Sequence, residues 1–184
     1  MLLLIAADPW RKRVLRAVRA LGLPDCWVGA GFVRALVWDC LHDYSEPTPL
    51  DDIDVIYYDA ERTDQAMERQ QEELLAAQWP ADLRSVPWSV KNQARMHIRN
   101  GDAPYKNTAD ALCHWLETPT AVAVRMDDEG MLELLAPLGV DDLFAMRIAP
   151  TPHAQKRRLD AYRERVLSKP WARQWPKLEV IIPA

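Results

Sequence analysis

The fold is decided by the stretch from Val28 to Asp59, which reads VGAGFVRALVWDCLHDYSEPTPLDDIDVIYYD. A glycine turn, Gly29 to Gly31, precedes a short apolar helix, and two alternating acids, Asp52 and Asp54, open a strand further along. Residues two apart on a strand project from the same face, so both carboxylates are expected side by side, with Ile53 turned into the core. The order of these two features predicts one functional site built from both ends of the stretch.

The paired acids predict a site for a divalent cation. Two carboxylates held together repel each other, and the pKa of each rises unless a cation sits between them. Mg²⁺ or Mn²⁺, bound through oxygen atoms, would remove that repulsion, and two acids in this spacing can share a pair of metal ions. The alternative interpretation is that Asp51 and Asp52 only cap the end of a strand.

The glycine turn predicts a phosphate site. Gly29, Ala30 and Gly31 join a strand to a helix, and such a junction offers free backbone amides at the positive end of the helix dipole. Arg34 lies in the first turn of that helix, which is the unfavourable end for a cation. The arginine is sensible there if an anion binds nearby or if it pairs with one of the acids, and the alternative is a plain surface arginine.

The composition indicates a globular protein. The chain has 184 residues, of which 49% are hydrophobic, and a formal net charge of −4, so we expect one domain, residues 1–184. Neither a signal peptide nor a membrane span is expected, and three cysteines do not suggest a disulfide framework, which favours the cytoplasm. The basic segment from His153 to Lys177 is either a solvated helix face or a landing surface for phosphates or RNA.

The pattern along the chain predicts an α+β fold, with a mixed sheet covered by helices. A sheet-containing core is expected over about residues 1–140 and a helical C-terminal part over about 141–184. The cysteine–histidine pairs at Cys40 and His42 and at Cys113 and His114 lack the paired spacing of a zinc site. The predicted elements are a helix from Asp8 to Gly22, a strand at 26–29, a helix from Gly31 to about His42, a strand at 52–58, a charged helix at 61–78, a strand from Trp88 to Ile98, a helix near 108–116, a hairpin around 127–130 and helices beyond 140.

The motifs resemble those of a known superfamily. The order Gly-Ala-Gly-Phe-Val-Arg, apolar helix, loop and Asp-Ile-Asp-Val resembles the polymerase-β-like nucleotidyltransferases, with a spacing similar to that of the head domains of CCA-adding enzymes and bacterial poly(A) polymerases. A fuller resemblance, to an uncharacterised group of bacterial nucleotidyltransferase-like proteins, is carried by GAGFVRALVWDCLH, DIDVIYYD, WSVKNQARMH, VDDLF and KPWARQWPKL.

The resemblance implies a fold and a reaction. It implies Mg²⁺-dependent or Mn²⁺-dependent transfer of a nucleoside monophosphate from an NTP to an acceptor, which can be a small molecule, tRNA or a protein; no DNA or membrane partner is implied. In this fold a later strand lies beside the acid strand, so Lys91, Gln93 and Arg95 are expected to face the same cleft as Asp52 and Asp54. Asn92 breaks the apolar side of that strand, which a bulge would explain.

The sequence departs from the superfamily pattern in ways that keep a second interpretation open. Alanines stand at position 30, inside the glycine turn, and at position 35, where the CCA-type motif has an aspartate. No third carboxylate is evident in WSVKNQARMH, and Glu133 and Asp110 are the reserve candidates. The alternative to an enzyme is therefore a catalytically silent module that binds nucleotides or a partner on the same fold.

Overall fold

The structure is a computed structural model, and it describes residues 1–79 and 86–183. The helices are α1 (Leu2–Ala7), α2 (Pro9–Arg19), α3 (Gly31–Leu41), α4 (Gln65–Gln78), α5 (Met96–Asn100), α6 (Thr108–Cys113), α7 (Asp141–Phe144), α8 (Pro152–Arg157), α9 (Leu159–Ser168) and α10 (Trp171–Gln174). The strands are β1 (Trp27–Gly29), β2 (Ile53–Tyr57), β3 (Trp88–Asn92), β4 (Ala123–Met126), β5 (Leu132–Leu135), β6 (Arg147–Ile148) and β7 (Glu179–Val180).

Five strands form a mixed sheet in the order β3-β2-β1-β4-β5. The β2 and β3 strands are parallel and are joined through α4, whereas the other neighbours in the sheet pair antiparallel. The hairpin of β4 and β5 lies where the sequence predicts it. This arrangement confirms the predicted α+β class, and it places β3 at one edge of the sheet.

The acid strand β2 separates two apolar layers. Ile53 and Val55 are buried in the main core together with Phe32 of α3, whereas Ile56 belongs to a smaller cluster on the opposite face. Since side chains alternate along a strand, Asp54 shares the face of Ile56. The large core therefore holds β2 by one face and leaves the other available for a site.

Local capping explains where the first helices begin. The Asp8 side chain accepts a hydrogen bond from the Arg11 amide, and Pro9 stands at the first helical position, so α2 starts where the sequence predicts. Asp64 caps α4 in the same way, by accepting from the Ala66 amide. The short helix α1, by contrast, was not expected from the apolar run at the N-terminus.

The predicted strand from Trp88 to Ile98 is wrong beyond Asn92. The Asn92 side chain accepts a hydrogen bond from the Ala94 amide and caps a 3₁₀ turn, Gln93–Arg95, which runs directly into α5. Asparagine side chains compete for backbone amides in this way and end regular structure. The apolar and polar alternation in this segment therefore mimics a strand that the backbone does not form.

The C-terminal part is less uniformly helical than the sequence suggests. Among the helices expected beyond residue 140, α8 and α9 are separated at Arg158, whose φ of −140° and ψ of 34° lie outside the helical region. The β6 and β7 strands add a parallel pair, and the Tyr162 hydroxyl donates to the carbonyl of Ile148 in that pair. The division near residue 140 stays a prediction. None of the helices in the described ranges has the length and apolar character needed to cross a bilayer.

Candidate active site

The acid pair and the glycine turn meet at two adjoining cavities. The smaller, of about 60 Å³, is lined by the turn, both predicted acids, the end of α9 and residues of α10. The larger, of about 280 Å³, is lined by Gln93, Glu117 and several aromatic side chains. Ala30, Asp54 and Arg165 line both cavities. The structure thus brings the two ends of the Val28–Asp59 stretch together around Asp54.

The two carboxylates are held in an unfavourable electrostatic environment. The pKa of Asp54 is raised to about 6, first by burial and then by the neighbouring charge of Asp52, although a hydrogen bond from Ser89 and the cations Arg165 and Arg34 partly oppose the rise. Burial, followed by the charge of Asp51, also raises the pKa of Asp52. The negative charges of these carboxylates are not fully balanced by nearby positive charges, and carboxylate oxygens are the ligands that a hard divalent cation requires. The residues present therefore fit the predicted metal.

The three residues of the turn differ in the room for a side chain, in backbone conformation and in the hydrogen bonds of their amides. A Cβ at Gly29 would lie 3.1 Å from the carbonyl oxygen of Val122, so packing against β4 explains that glycine. Ala30 has a φ of 53°, a conformation that favours glycine, and its amide donates to the same carbonyl. A Cβ at Gly31 would make only ordinary contacts, 3.8 Å from Arg34 Nη2 and from Leu50 Cδ2, and neither the amide of Gly31 nor that of Phe32 donates a hydrogen bond to a described residue. Those two amides remain available to an anion.

Arg34 is a buried residue of the site, so the surface alternative is wrong. Its side chain lies over the Trp171 ring, with 4.4 Å from Cζ to the ring centroid, and Nη1 donates to Thr120 Oγ1 at 3.0 Å. Its Nε is buried and has no hydrogen-bond partner in the described part of the chain. Burial lowers the pKa of Arg34 to about 10, so the guanidinium remains charged at neutral pH.

Only one of the three polar residues predicted to line the cleft from β3 does so. Gln93 lines the larger cavity together with Asp54. Lys91 Nζ lies 2.8 Å from Glu72 Oε1, and Arg95 Nε donates to Glu68 Oε1 at 2.7 Å. The same glutamates of α4 also accept hydrogen bonds from backbone amides of β3. The prediction that Lys91 and Arg95 face the cleft is wrong, because both cations form ion pairs with glutamates of α4.

Comparison with known proteins identifies the family. The family model described as "Nucleotidyltransferase" matches residues 16–180. The chain belongs to this nucleotidyltransferase family. No curated protein matches the sequence.

Solved structures agree with this family assignment. A structure titled "The NMR structure of the protein reveals a CCA-adding enzyme head domain" is 31% identical, with a TM-score of 0.83 over 97% of this chain and 93% of that one. A CCA-adding enzyme in complex with ATP is 15% identical, with a TM-score of 0.60 over 97% of this chain and 42% of that one. The Thermotoga maritima CCA-adding enzyme complexed with a tRNA is 14% identical, with a TM-score of 0.57, 95% of this chain and 40% of that one.

These comparisons confirm the expected polymerase-β-like fold of the chain. The chain spans about two fifths of the two CCA-adding enzymes, and at their level of identity the likeness concerns the fold alone. ATP and tRNA are the ligands of those two enzymes, and the acceptor of this chain does not follow from them.

The sequence interpretation missed the part of the site that the C-terminal region supplies. Arg165 of α9 forms an ion pair with Glu117, whose side chain is almost fully buried, and Lys169 Nζ lies 3.3 Å from Asp51 Oδ2. Trp171 of α10 supports Arg34 from the same region. The only hint in the sequence was the basic segment at 153–177, and its pattern did not show which of its cations line the smaller cavity.

The neighbouring strand β3 presents no third carboxylate beside Asp54. Ser89 stands opposite Asp54 in the register of β2 and β3. Glu117, which lines the larger cavity, is the nearest equivalent in chemistry, but Arg165 already neutralises it. Of the reserve candidates, Glu133 pairs with Arg125 on the hairpin, and Asp110 accepts from the Lys106 amide, so both have structural roles.

Proposed function

We propose that this protein transfers a nucleoside monophosphate from an NTP to an acceptor with the aid of Mg²⁺ or Mn²⁺. The observation that carries the proposal is that Asp52, Asp54 and Gly31 line one cavity, and that the Gly31 amide has no hydrogen-bond partner in the described residues. Carboxylates for cations and helix amides for phosphates are the two halves of a metal–triphosphate site.

In this proposal the acids hold the cation and the turn holds the phosphates. The metal, when bound, neutralises charge on the triphosphate and on the attacking and leaving oxygens. The amides of Gly31 and Phe32 donate to phosphate oxygens, and the charged group of Arg34 adds a donor from the side of α3. Arg165 contributes a further positive charge where the two cavities meet.

The larger cavity would receive the nucleobase or the acceptor. Its aromatic and amide groups, among them Trp115, Tyr105 and Gln93, offer stacking surfaces and hydrogen bonds to a planar group. The position of Asp54 between the cavities favours attack on the α-phosphorus from one side while pyrophosphate leaves on the other. Positioning and charge stabilisation by these residues would supply the rate enhancement.

A catalytically silent nucleotide-binding module is the second candidate. Ser89 stands where a third carboxylate would face Asp54, which favours this alternative. Both candidates predict nucleotide binding, and only the first predicts transfer, so one experiment separates them.

The test is label transfer from a panel of α-labelled NTPs, with Mg²⁺ or Mn²⁺ and cell extract, followed by identification of the labelled molecule. We expect transfer by the wild-type protein and its loss in the Asp52→Asn, Asp54→Asn double variant. Asp51→Asn is the matched control, because Asp51 is mostly exposed and pairs with Lys169. Nucleotide-dependent thermal stabilisation without transfer would favour the silent module, and equal transfer by the double variant would overturn the proposed site.

A further inference from the structure

A second cluster of metal-ligating side chains lies beside the larger cavity. Asp102 follows α5, His114 caps the C-terminal end of α6, and His153 stands in the first turn of α8. One potential ligand atom from each of these residues lies within 4.8 Å of the other two. No other group of three or more His, Cys, Asp or Glu residues in the described ranges meets the same distance.

The hydrogen bonds of the cluster leave ligand atoms free on the inner side. His114 Nδ1 lies 2.8 Å from the carbonyl oxygen of Asp110, which can only accept, so the lone pair of the imidazole is on Nε2. The Tyr105 hydroxyl donates to Asp102 Oδ2 at 2.7 Å and thereby orients the carboxylate, leaving Oδ1 available. Such outer hydrogen bonds to a carbonyl and a carboxylate are typical of metal-binding histidines and aspartates.

His153 carries a buried ring nitrogen that no contact within the described residues satisfies. Its Nε2 is buried and lacks an aligned hydrogen bond within the described residues, although Asp102 Oδ1 lies 3.0 Å away. A buried imidazole nitrogen that faces a carboxylate without an aligned hydrogen bond is well placed to share a metal ion with it.

We propose that Asp102, His114 and His153 form a binding site for a zinc-type divalent metal ion, separate from the Asp52 and Asp54 pair. Two imidazoles and one carboxylate are a borderline-soft ligand set, suited to Zn²⁺ and Co²⁺ rather than to Mg²⁺. Tetrahedral bonds of about 2.1 Å place ligand atoms about 3.4 Å apart, so small side-chain rotations close the cluster around an ion.

The site has consequences for the shape of the larger cavity. The ion would join the segment after α5, the end of α6 and the start of α8, which are distant in sequence. His114 lines the larger cavity, so a bound ion would fix one wall of it and could keep its fourth ligand position towards that space. The positive charges of Arg157 and Arg158 act on His153 and oppose a cation, so the affinity comes from coordination geometry.

The experiment uses the full chain after treatment with a chelator. Zn²⁺ binding is measured by calorimetry, and Co²⁺ binding by its visible absorption, which reports tetrahedral coordination. We expect one ion per chain, insensitivity to excess Mg²⁺, and at least a tenfold loss of affinity in His114→Ala and His153→Ala. His153→Gln keeps the volume of the side chain and covers the case in which the alanine variant does not fold.

Two matched controls distinguish this site from others. His97→Ala removes a histidine whose ring lies 6.0 Å from that of Tyr105 but which is outside the cluster, and it should bind Zn²⁺ normally. The Asp52→Asn, Asp54→Asn variant should also bind Zn²⁺ normally, so this inference can fail or hold independently of the proposed transferase activity. Absence of Zn²⁺ binding by the wild type, or binding that survives in folded His153→Gln, would overturn the proposal.

Discussion

Asp54 is the residue at which the proposed function and the stability of the fold oppose each other. Its pKa of about 6 in the folded protein lies above the ordinary value of 3.8. The folded state therefore binds this proton more tightly than the unfolded state does, and stability is lost as the pH rises from about 4 through 6. A buried carboxylate that binds a cation lowers the free energy of unfolding in this way whenever the cation is absent.

Asp54→Asn should stabilise the metal-free protein above pH 6. We expect a gain on the order of 1–3 kcal/mol at pH 7.5, since each pKa unit corresponds to about 1.4 kcal/mol. The gain should disappear near pH 4, where the wild-type carboxyl is protonated as well. Denaturant unfolding at the two pH values, without divalent ions, is the measurement. A variant less stable than wild type at pH 7.5 would contradict the assigned environment of Asp54.

Arg34 should contribute to nucleotide binding as well as to packing. We expect Arg34→Ala to weaken NTP binding by roughly 1.5–3 kcal/mol, the value of a charge-assisted hydrogen bond, and Arg34→Lys to restore it only in part. Calorimetric titration with an NTP and Mg²⁺ gives the affinities, and a melting curve shows that each variant is folded. Thr120→Val, which removes the 3.0 Å hydrogen bond but keeps the guanidinium, is the control. Normal binding by folded Arg34→Ala would make Arg34 structural.

At the scale of the element, the beginning of α3 determines whether a phosphate can approach. The first amides of a helix have no partner within the helix, and at α3 the neighbouring strand satisfies only that of Ala30. The helix is anchored behind this turn by Phe32, Val33 and Val37, which are buried in the main core. A rigid helix with free amides is a preorganised anion site.

Gly31→Ala should separate ligand approach from folding. A Cβ there would lie 3.8 Å from Arg34 Nη2 and from Leu50 Cδ2, which is ordinary contact, so the variant should fold with unchanged or slightly higher stability. The added methyl group would extend into the smaller cavity and should reduce NTP affinity about tenfold, or about 1.4 kcal/mol. Gly29→Ala is the contrasting variant, since its Cβ meets a carbonyl oxygen at 3.1 Å and should cost stability. Unchanged affinity in Gly31→Ala would place the phosphates elsewhere.

At the scale of the whole molecule, the C-terminal part is tied to the sheet-containing core by buried polar contacts. Asp39 of α3 accepts hydrogen bonds from the indole of Trp175, at 2.7 Å, and from the backbone and side chain of Thr48. The Trp175 ring also packs against Trp38, with 5.2 Å between ring centroids. These contacts, together with the pair of Arg165 and Glu117, hold the inward-facing cations beside the acids.

The two parts should therefore unfold as one unit. Near-ultraviolet and far-ultraviolet circular dichroism should give coincident transitions, as two-state unfolding requires. Trp175→Phe should lower stability by roughly 1.5–3 kcal/mol, because it removes a hydrogen bond to a buried carboxylate, without separating the two transitions. An early transition confined to one probe would show that residues beyond about 140 unfold independently.

The sequence by itself determined the features that depend on near neighbours along the chain. The features that follow from periodicity and turn chemistry within a few residues are the acid pair at the start of β2, the turn before α3, the cap at Asp8 and the β4–β5 hairpin. The strand expected from Trp88 to Ile98 ends early, at Asn92, for the same kind of local reason, because the Asn92 side chain caps a turn that alternation does not reveal.

Only the tertiary structure decided which distant side chains meet. Lys91 and Arg95 pair with α4 because β3 is an edge strand, and a local pattern does not show which strand ends the sheet. Arg165 reaches the acids, and His153 reaches Asp102, because packing brings separate segments together. Burial then sets the charge state of each group, as the raised pKa of Asp54 shows. Local pattern thus determined the elements and the acid pair, whereas long-range packing determined the electrostatics and the remaining walls of the site.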